Sequence, residues 1–482
     1  MRRQDLDQLW KVENIRRSVA MLPPGSPVRN DEQISLPNSP ACATMSQRKD
    51  QSCSFRSGLR HGRVTPTPEL VDRLWEGSGY GARRDRRPFR YQAFVPDPIG
   101  DWDRPLAGRA AEAVAVATAA VGDLQTTAAG HDLETLAGPL LRSEALGSSF
   151  IEGLRASNKR LALAAYEPAA ADGTARAVLG NVRAMERAVE LGTDRKRFRL
   201  NDLLDIHRTL LDGTAEERHA GVVRADQNWI GGRGLSPADA TFVPPPEDRV
   251  RALLEDLIRF VGLDDLPAIA QAAVAHAQFE TIHPFGDGNG RAGRCLIHVV
   301  LRRRGLTPLF VPPISVVLAA NARRYIAGLV DFREGRVDDW IGMFADATHT
   351  AAEAAKRLWT QIDDLLADLV ERAGTPRADS VARKIILGLP AQSVVSAQTA
   401  AARYNVTPTA ARAALNQLQQ TGVVVPTRVG RRRDREWISD ELFGLLDAFE
   451  HDLGQPADAG APRPAPGRTR PPRKTQAPPR GA

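Results

Sequence analysis

A mainly helical fold that ends in a small winged helix-turn-helix is predicted by three features of the 482-residue chain. Hydrophobic residues make up 42% of it and aromatics 5%, while alanine and arginine, both good helix formers, fill many other positions. Leu106, Ala110, Ala113, Ala117, Val121 and Leu124 follow one another at spacings of three and four, and similar helical segments recur as far as residue 372. Between 380 and 450, three short helical segments precede two strand-like runs, VVVPTRV and REWIS, around a loop at 430–434.

In chain order, residues 1–88 are poor in periodic apolar residues and rich in Pro, Ser, Gly and Arg. They are expected to be mostly disordered, with room for one short helix at 68–75, and whether the first sixty are translated stays open. An N-terminal helical region over 89–200 carries helices at 106–126, 138–153, 158–166 and 174–191. The core, over 201–372, opens with a helix at 201–211 that Asn201 is placed to cap. Gly and Pro then punctuate short apolar runs at 221–246, predicting a β-hairpin or extended flap. Helices resume at 247–261, 266–282, 289–304, 316–333 and 337–372. The winged helix takes 380–450, with Thr407 capping its third helix, and 455–482 reads as a disordered tail.

The net charge of +7 sits in the ends: residues 1–95 hold 17 Lys/Arg against 10 Asp/Glu and 455–482 hold 6 against 1, so the middle of the chain is net acidic. The basic balance therefore says little in favour of a nucleic-acid-binding core. Cys42, Cys53 and Cys295 have no spacing that suggests a disulfide framework or a zinc site, which fits a reducing cytoplasm. No apolar run of about 18 residues is present for a membrane span, and the N-terminus lacks the apolar stretch of a secretory signal.

One segment carries chemistry: His283-Pro284-Phe285-Gly286-Asp287-Gly288-Asn289-Gly290-Arg291-Ala292-Gly293-Arg294. Pro284 and the glycines keep the backbone out of a helix until about Gly290, where the apolar helix CLIHVVLRRRG begins. A Gly-rich loop that feeds a helix N-terminus offers free N–H groups and a favourable dipole to an anion. Gly288 and Gly290 let the backbone curl around a phosphate. Arg291 and Arg294 lie three apart, with guanidinium forks that suit phosphate oxygens. Asp287, at the loop's edge, is placed to hold Mg²⁺ that bridges phosphates. His283 is the group able to accept a proton near neutral pH. Together these residues point to phosphate chemistry on a nucleotide.

The segment resembles the Fic family signature, HxFx(D/E)GNGRxxR, at every defined position. The resemblance spans about residues 89–350 and implies a Fic helical core with a β-hairpin flap. It implies transfer of AMP from ATP to a Ser, Thr or Tyr hydroxyl of a protein target, or of the enzyme itself. His283 would deprotonate that hydroxyl, Phe285 would anchor the loop and Asp287 would bind Mg²⁺. Gly288, Asn289 and Gly290 would cradle the α- and β-phosphates, with Arg291 and Arg294 on the β- and γ-phosphates. The run Asn228-Trp229-Ile230-Gly231 looks like the part of the flap near ATP, and Asn321 and Tyr325 look like residues flanking adenine and ribose. The run from Ser148 through Glu152 to Gly153 resembles the family's inhibitory motif (S/T)xxxE(G/N), which implies that Glu152 occupies the fork of Arg294.

Other readings stay beside these. Removal of AMP, or another nucleotidyl or phosphoryl transfer, is compatible with the same scaffold. A winged-helix DNA regulator with a nucleotide-sensing Fic part is a second alternative. Arg428, Arg431, Arg432, Arg433 and Arg435 cluster at the wing, yet 381–454 holds only 9 Lys/Arg against 7 Asp/Glu. Dimerisation or target docking is the preferred role of that unit. His207, His276 and His298 read as structural, Cys295 as core packing, and Arg302–Arg304 as a solvated helix end. Trp229 reads equally as packing or as a target contact.

Overall fold

The computed structural model describes residues 68–78, 83–127, 134–194, 198–231, 236–427 and 435–453. Of the N-terminal region expected to be mostly disordered, 1–88, residues 1–67 and 79–82 lie outside the described residues, as do the tail at 455–482 and Arg428, Arg431, Arg432 and Arg433.

At the centre lie α7 (Ala268–Ile282) and α8 (Asn289–Arg303), which the His283 loop joins. Every residue of α8 is buried, and so is every residue of α7 after Ala268. A helix buried all round needs partners for its polar side chains, and α8 carries Arg291, Arg294, His298, Arg302 and Arg303. Around this pair pack α1 (Gly108–Thr127), α2 (Glu134–Ile151), α3 (Asn158–Tyr166), α4 (Gly173–Gly192), α5 (Leu200–Leu211) and α6 (Glu247–Val261). On the other side lie α9 (Ile314–Ala320), α10 (Ala322–Arg333) and the 36-residue α11 (Val337–Arg372).

The buried polar network fixes α2 against α8. Glu144 is fully buried and accepts from His298 Nε2 (2.8 Å), Ser315 N–H (2.6 Å) and the Ser315 hydroxyl. Arg302, Arg303 and Arg304 are not a solvated end. Arg302 donates to Thr307 O (2.8 Å), Arg303 to Gly262 O (2.6 Å) and Asp264 (2.8 Å), and Arg304 to Leu266 O (2.6 Å) and Gln271 (2.7 Å). The three guanidinium groups tie the end of α8 to the neighbouring loops, and Arg302 and Arg303 are buried in doing so. Cys295 is buried in the core, where the thiol packs as a small apolar group.

Residues 69–75 form a strand and not a helix. β1 (Glu69–Trp75) pairs antiparallel along its whole length with β2 (Phe89–Val95), from Glu69↔Val95 to Trp75↔Phe89. The leucines four apart suit a helix in isolation, but Val71 faces the core while Leu70 and Leu74 stay exposed, so cross-strand pairing decides. Asn201 is not the cap of α5. Arg199 holds that position, and its N–H donates to Asp202 Oδ2 at 2.8 Å. The helix expected over 316–333 is broken at Asn321 (ψ 46°) into α9 and α10.

Beyond α11 come α12 (Val381–Gly388), β3 (Val394–Ser396), α13 (Ala397–Tyr404), α14 (Pro408–Gln420), β4 (Val425–Pro426), β5 (Glu436–Ile438) and α15 (Asp440–Leu453). The three strands form one antiparallel sheet in the order β3-β5-β4, and β3 and α15 are additions to the sequence reading. Thr407 caps α14 as expected, accepting from Ala410 N–H at 3.2 Å. This unit does not stand apart from the body. Val121, Leu124, Leu140 and Leu366 share one apolar cluster with Ile385, Leu415, Trp437 and Leu446. On α15, Glu450 accepts from Ser143 and Asn158 (2.9 Å each), and Asp447 accepts from Asn158 Nδ2 (3.0 Å).

Glu144→Ala strands the His298 and Ser315 donors in a dry core, so it should lower the unfolding free energy by about 3 kcal/mol in chemical denaturation. An unchanged midpoint would contradict this role for Glu144.

Candidate active site

The loop between α7 and α8 is fastened from three directions. His283 ends α7 in the left-handed region (φ 48°, ψ 62°), a conformation uncommon outside glycine. Inside the loop, Phe285 N–H donates to Asn289 Oδ1 (2.8 Å), and Asn289 Nδ2 donates back to Phe285 O (2.9 Å). Beneath it, the Phe285 ring stacks on His207 with centroids 3.6 Å apart. Gly221 N–H donates to His207 Nδ1 (3.0 Å), which leaves Nε2 to donate to Asp287 O (2.9 Å). Burial lowers the His207 pKa to about 4, in keeping with a neutral ring in one tautomer.

From the flap comes Arg224, which sequence reasoning missed. Its Nε donates to His283 O (2.9 Å), Nη2 to Pro245 O (2.6 Å) and Nη1 to Asp226 O (2.9 Å). Arg224 N–H also donates to Pro284 O at 2.9 Å. Among its described residues the flap has two isolated bridges, Ile230↔Phe242 and Val223↔Phe285, and no regular hairpin ladder. Pro244, Pro245 and Pro246 lack the N–H groups a ladder needs. Phe94 N–H donates to Val243 O (2.9 Å), which lays the flap beside β2.

Near the N-terminus of α8, Arg294 is paired with a carboxylate of the same molecule. Arg294, 1% exposed, donates from Nε to Ser148 Oγ (2.9 Å) and from Nη2 to Ser148 O (2.9 Å) and Glu152 Oε1 (2.7 Å). A Cβ on Gly290 would overlap the Glu152 carboxylate, so glycine at this position is what lets the carboxylate approach. Gly153 (φ 80°) follows α2 in the left-handed region that glycine supplies at a helix end. Burial opposes the Glu152 charge, but Arg294 outweighs it and holds the carboxyl below the usual range. Burial likewise opposes the Arg294 charge, and the Glu152 carboxylate first among its neighbours outweighs it.

Arg291, buried, donates to Asp287 Oδ2 at 3.1 Å, so the expected phosphate holder and metal ligand engage each other. Among the described residues no three His, Cys, Asp or Glu side chains gather as a metal site. The lone Asp287 carboxylate fits Mg²⁺ only in the mode where phosphates supply further ligands.

His283 keeps 20% of its side chain exposed, enough to be reached from solvent. Burial first, then the Arg224 charge, lowers its pKa to about 4, so the imidazole is neutral at pH 7 and free to accept a proton.

Several expected nucleotide contacts do other work. Asn228 Nδ2 donates to Phe285 O (3.1 Å) and His283 O (3.3 Å), bracing the loop from outside, and Asn289 braces it from inside. Trp229 meets Trp75 edge-on at 5.9 Å, Ile230 lies in the flap bridge, and Gly231 (φ 78°) turns against Thr241. Tyr325 lies in the core, its hydroxyl 2.9 Å from His276 Nε2, whereas Asn321 is exposed. Gly288 (φ 74°) supplies the left-handed turn into α8.

Fold and site together define a mainly helical protein in which a Gly-rich loop feeds a buried helix and Glu152 pairs with Arg294 on that helix. Residues 197–301 match the Fic/DOC family, and residues 111–190 match the Fic/DOC family N-terminal region. Residues 197–301 thus carry a Fic domain, preceded by the family's N-terminal region. The chain is similar to the protein adenylyltransferase fic-1 of Caenorhabditis elegans, 29% identical over 146 residues, which are 30% of this chain and 27% of that protein. It is also similar to the protein adenylyltransferase Fic of Drosophila melanogaster, 28% identical over 167 residues, which are 34% of this chain and 30% of that protein. The match thus spans under a third of these relatives. Among solved structures, a Fic family protein from Desulfovibrio desulfuricans G20 aligns with TM-score 0.44 and 19% identity over 70% of this chain and 97% of that one. Fic-1 from C. elegans (residues 134–508) aligns with TM-score 0.40 and 20% identity over 52% and 74%.

Because the folded-state pKa of His283 is lowered from 6.5 to about 4, the unfolded chain binds more protons between those values. Stability should therefore fall as pH drops through that window, and histidine-labelled NMR should show the His283 imidazole taking up its proton near pH 4. Titration of His283 at 6.5 would contradict the buried, Arg224-facing setting. Arg224→Met should free the flap, and faster proteolytic cutting within 221–246 is the expected result.

Proposed function

We propose that the protein is an ATP- and Mg²⁺-dependent adenylyltransferase that moves AMP onto a Ser, Thr or Tyr hydroxyl of a protein and is restrained by Glu152. One observation carries the reading: the Glu152 carboxylate sits on Arg294 at the N-terminus of α8, beside Gly290. An anion already lies where the signature and the helix dipole favour phosphate, and the neutral His283 stands at the other end of the loop. The family match and the names of the relatives support the same reading.

The α- and β-phosphates would lie over Gly288, Asn289 and Gly290, and Arg291 and Arg294 would hold the β- and γ-phosphates. His283 takes the proton of the target hydroxyl as its oxygen bonds to the α-phosphorus, and the bond from that phosphorus to pyrophosphate breaks. Mg²⁺ held by Asp287 and the phosphates would neutralise charge on the leaving group. With Glu152 on Arg294, the γ-phosphate loses its guanidinium and the α-phosphate is not set in line. The exposed flank of the Arg224-held flap would receive the target.

Intact mass after incubation with ATP and Mg²⁺ tests this. Glu152→Gly should gain one or more AMP adducts, wild type far fewer, and Glu152→Gly with His283→Ala none. Equal labelling of wild type and Glu152→Gly would sink the brake, and labelling without His283 would sink the base. No adduct in any form, with a cell lysate also left unlabelled, would sink the transfer itself.

A further inference from the structure

One turn before His283 on α7, Glu280 lies in the floor of the site with no part in the roles above. Its side chain is 11% exposed, and its Oε2 lies 3.9 Å from His283 Nδ1. Glu280 Oε1 and His283 Nδ1 are both buried, and neither makes a hydrogen bond. Buried polar atoms are rarely left this way, and two of them on neighbouring groups point to a contact completed in another state of the site. The main-chain carbonyl of Glu280 also faces the ring and adds to its proton affinity.

We infer that Glu280 is the positioning residue for His283, turning its Nδ1 inward and stabilising the imidazolium formed when Nε2 takes the proton of the attacking hydroxyl. The inference rests on the proposed reaction. A neutral imidazole has one N–H, and protonation at Nε2 during the reaction leaves a cation with a second donor. With Nδ1–H aimed at a carboxylate, that cation gains an ion pair at the moment it forms, while the neutral ground state gains only a hydrogen bond. Such a contact favours the transition state over the ground state. In the step, the proton goes from hydroxyl oxygen to Nε2, the O–P bond forms and pyrophosphate departs with the electrons of the broken bond. Glu280 keeps its own protonation state throughout.

The surroundings of Glu280 suit this work. Arg294 on α8 and Arg333 on α10 favour its charge, while Glu152 in the turn after α2 opposes it; His276 on α7 and Tyr325 on α10 are uncharged neighbours, and Arg224 reaches His283 from the flap. Burial is the largest effect and moves the Glu280 pKa up to about 7. Glu280 is therefore a carboxylate only on the alkaline side of that value in the braked protein, and the Glu152→Gly change removes one opposing charge. A glycine at 293 is what leaves room for this carboxylate, since a Cβ there would meet Glu280 Oε1 at 2.9 Å and Phe279 at 2.8 Å.

The test compares Glu280→Gln with its parent in two ways. Histidine-selective NMR of full-length protein needs no turnover. In the parent, the His283 signals should show a second inflection near pH 7 as Glu280 ionises, and Glu280→Gln should abolish it. In the Glu152→Gly background, Glu280→Gln should lower kcat for AMP transfer by about 10- to 100-fold, leave KM for ATP within about twofold, and flatten the acid limb of the pH profile. Glu280→Asp should restore part of kcat. Loss of kcat with an unaltered pH profile and a lower melting temperature would make Glu280 merely structural. Identical His283 titrations in parent and variant would overturn the proposal whether or not any AMP is transferred. Absence of transfer in Glu152→Gly alone, with the inflection present, would instead count against the reaction.

Discussion

A guanidinium buried between two helices sets the terms for this site. Arg294 has almost no contact with water, so its charge must be met by protein. Ser148 on α2 and Glu152 in the turn after it meet that charge, and one turn before Ser148, Glu144 meets His298, one turn further along α8. Residues 144 and 148 on α2 and 152 in the turn that follows it lie at the four-residue spacing, facing 294 and 298 on α8. The rungs differ in character. Glu144–His298 is fully sealed, while the Glu152 side chain keeps 35% exposure. The inner rung therefore holds the helix in place, and the outer rung is the one an incoming anion can compete for.

The same logic organises the loop. A Gly-rich segment at a helix N-terminus has backbone N–H groups to offer but little to hold its own shape. Here shape comes from side chains outside the curl of the loop: His207 and Phe285 from below, Arg224 and Asn228 from the flap, and Asn289 from within. Side chains that brace backbone carbonyls leave the N–H groups at the start of α8 free for a ligand. Asn228 and Asn289, which the sequence reading assigned to the nucleotide, brace the loop in this structure.

The helical architecture was legible because burial imposes a period. α3 and α6 begin and end where apolar spacing and flanking Ser, Pro and Gly place them, and Thr407 caps its helix through a local bond. Failures fall where distant partners decide. β1 is a strand because β2 pairs with it, although its leucines alone suit a helix. Arg302 to Arg304 are clamps because the carbonyls of the 262–266 and 307–308 loops come to rest against them. Tyr325 is a core residue because His276 lies opposite its hydroxyl, on a helix 49 positions away in the chain.

The sequence by itself determined the helices, the loop from His283 to Arg294 and the chemical types gathered there, since glycine, histidine and arginine at fixed short spacings meet their neighbours whatever the rest of the chain does. Only the tertiary structure decided that Glu152 reaches Arg294 across 142 positions, that Arg224 grips the loop and that Glu280 lies under His283 with neither side chain satisfied. Charge and hydrogen-bond partners depend on distance and on exclusion of water. Both are set by how helices pack, a property no single stretch of sequence contains.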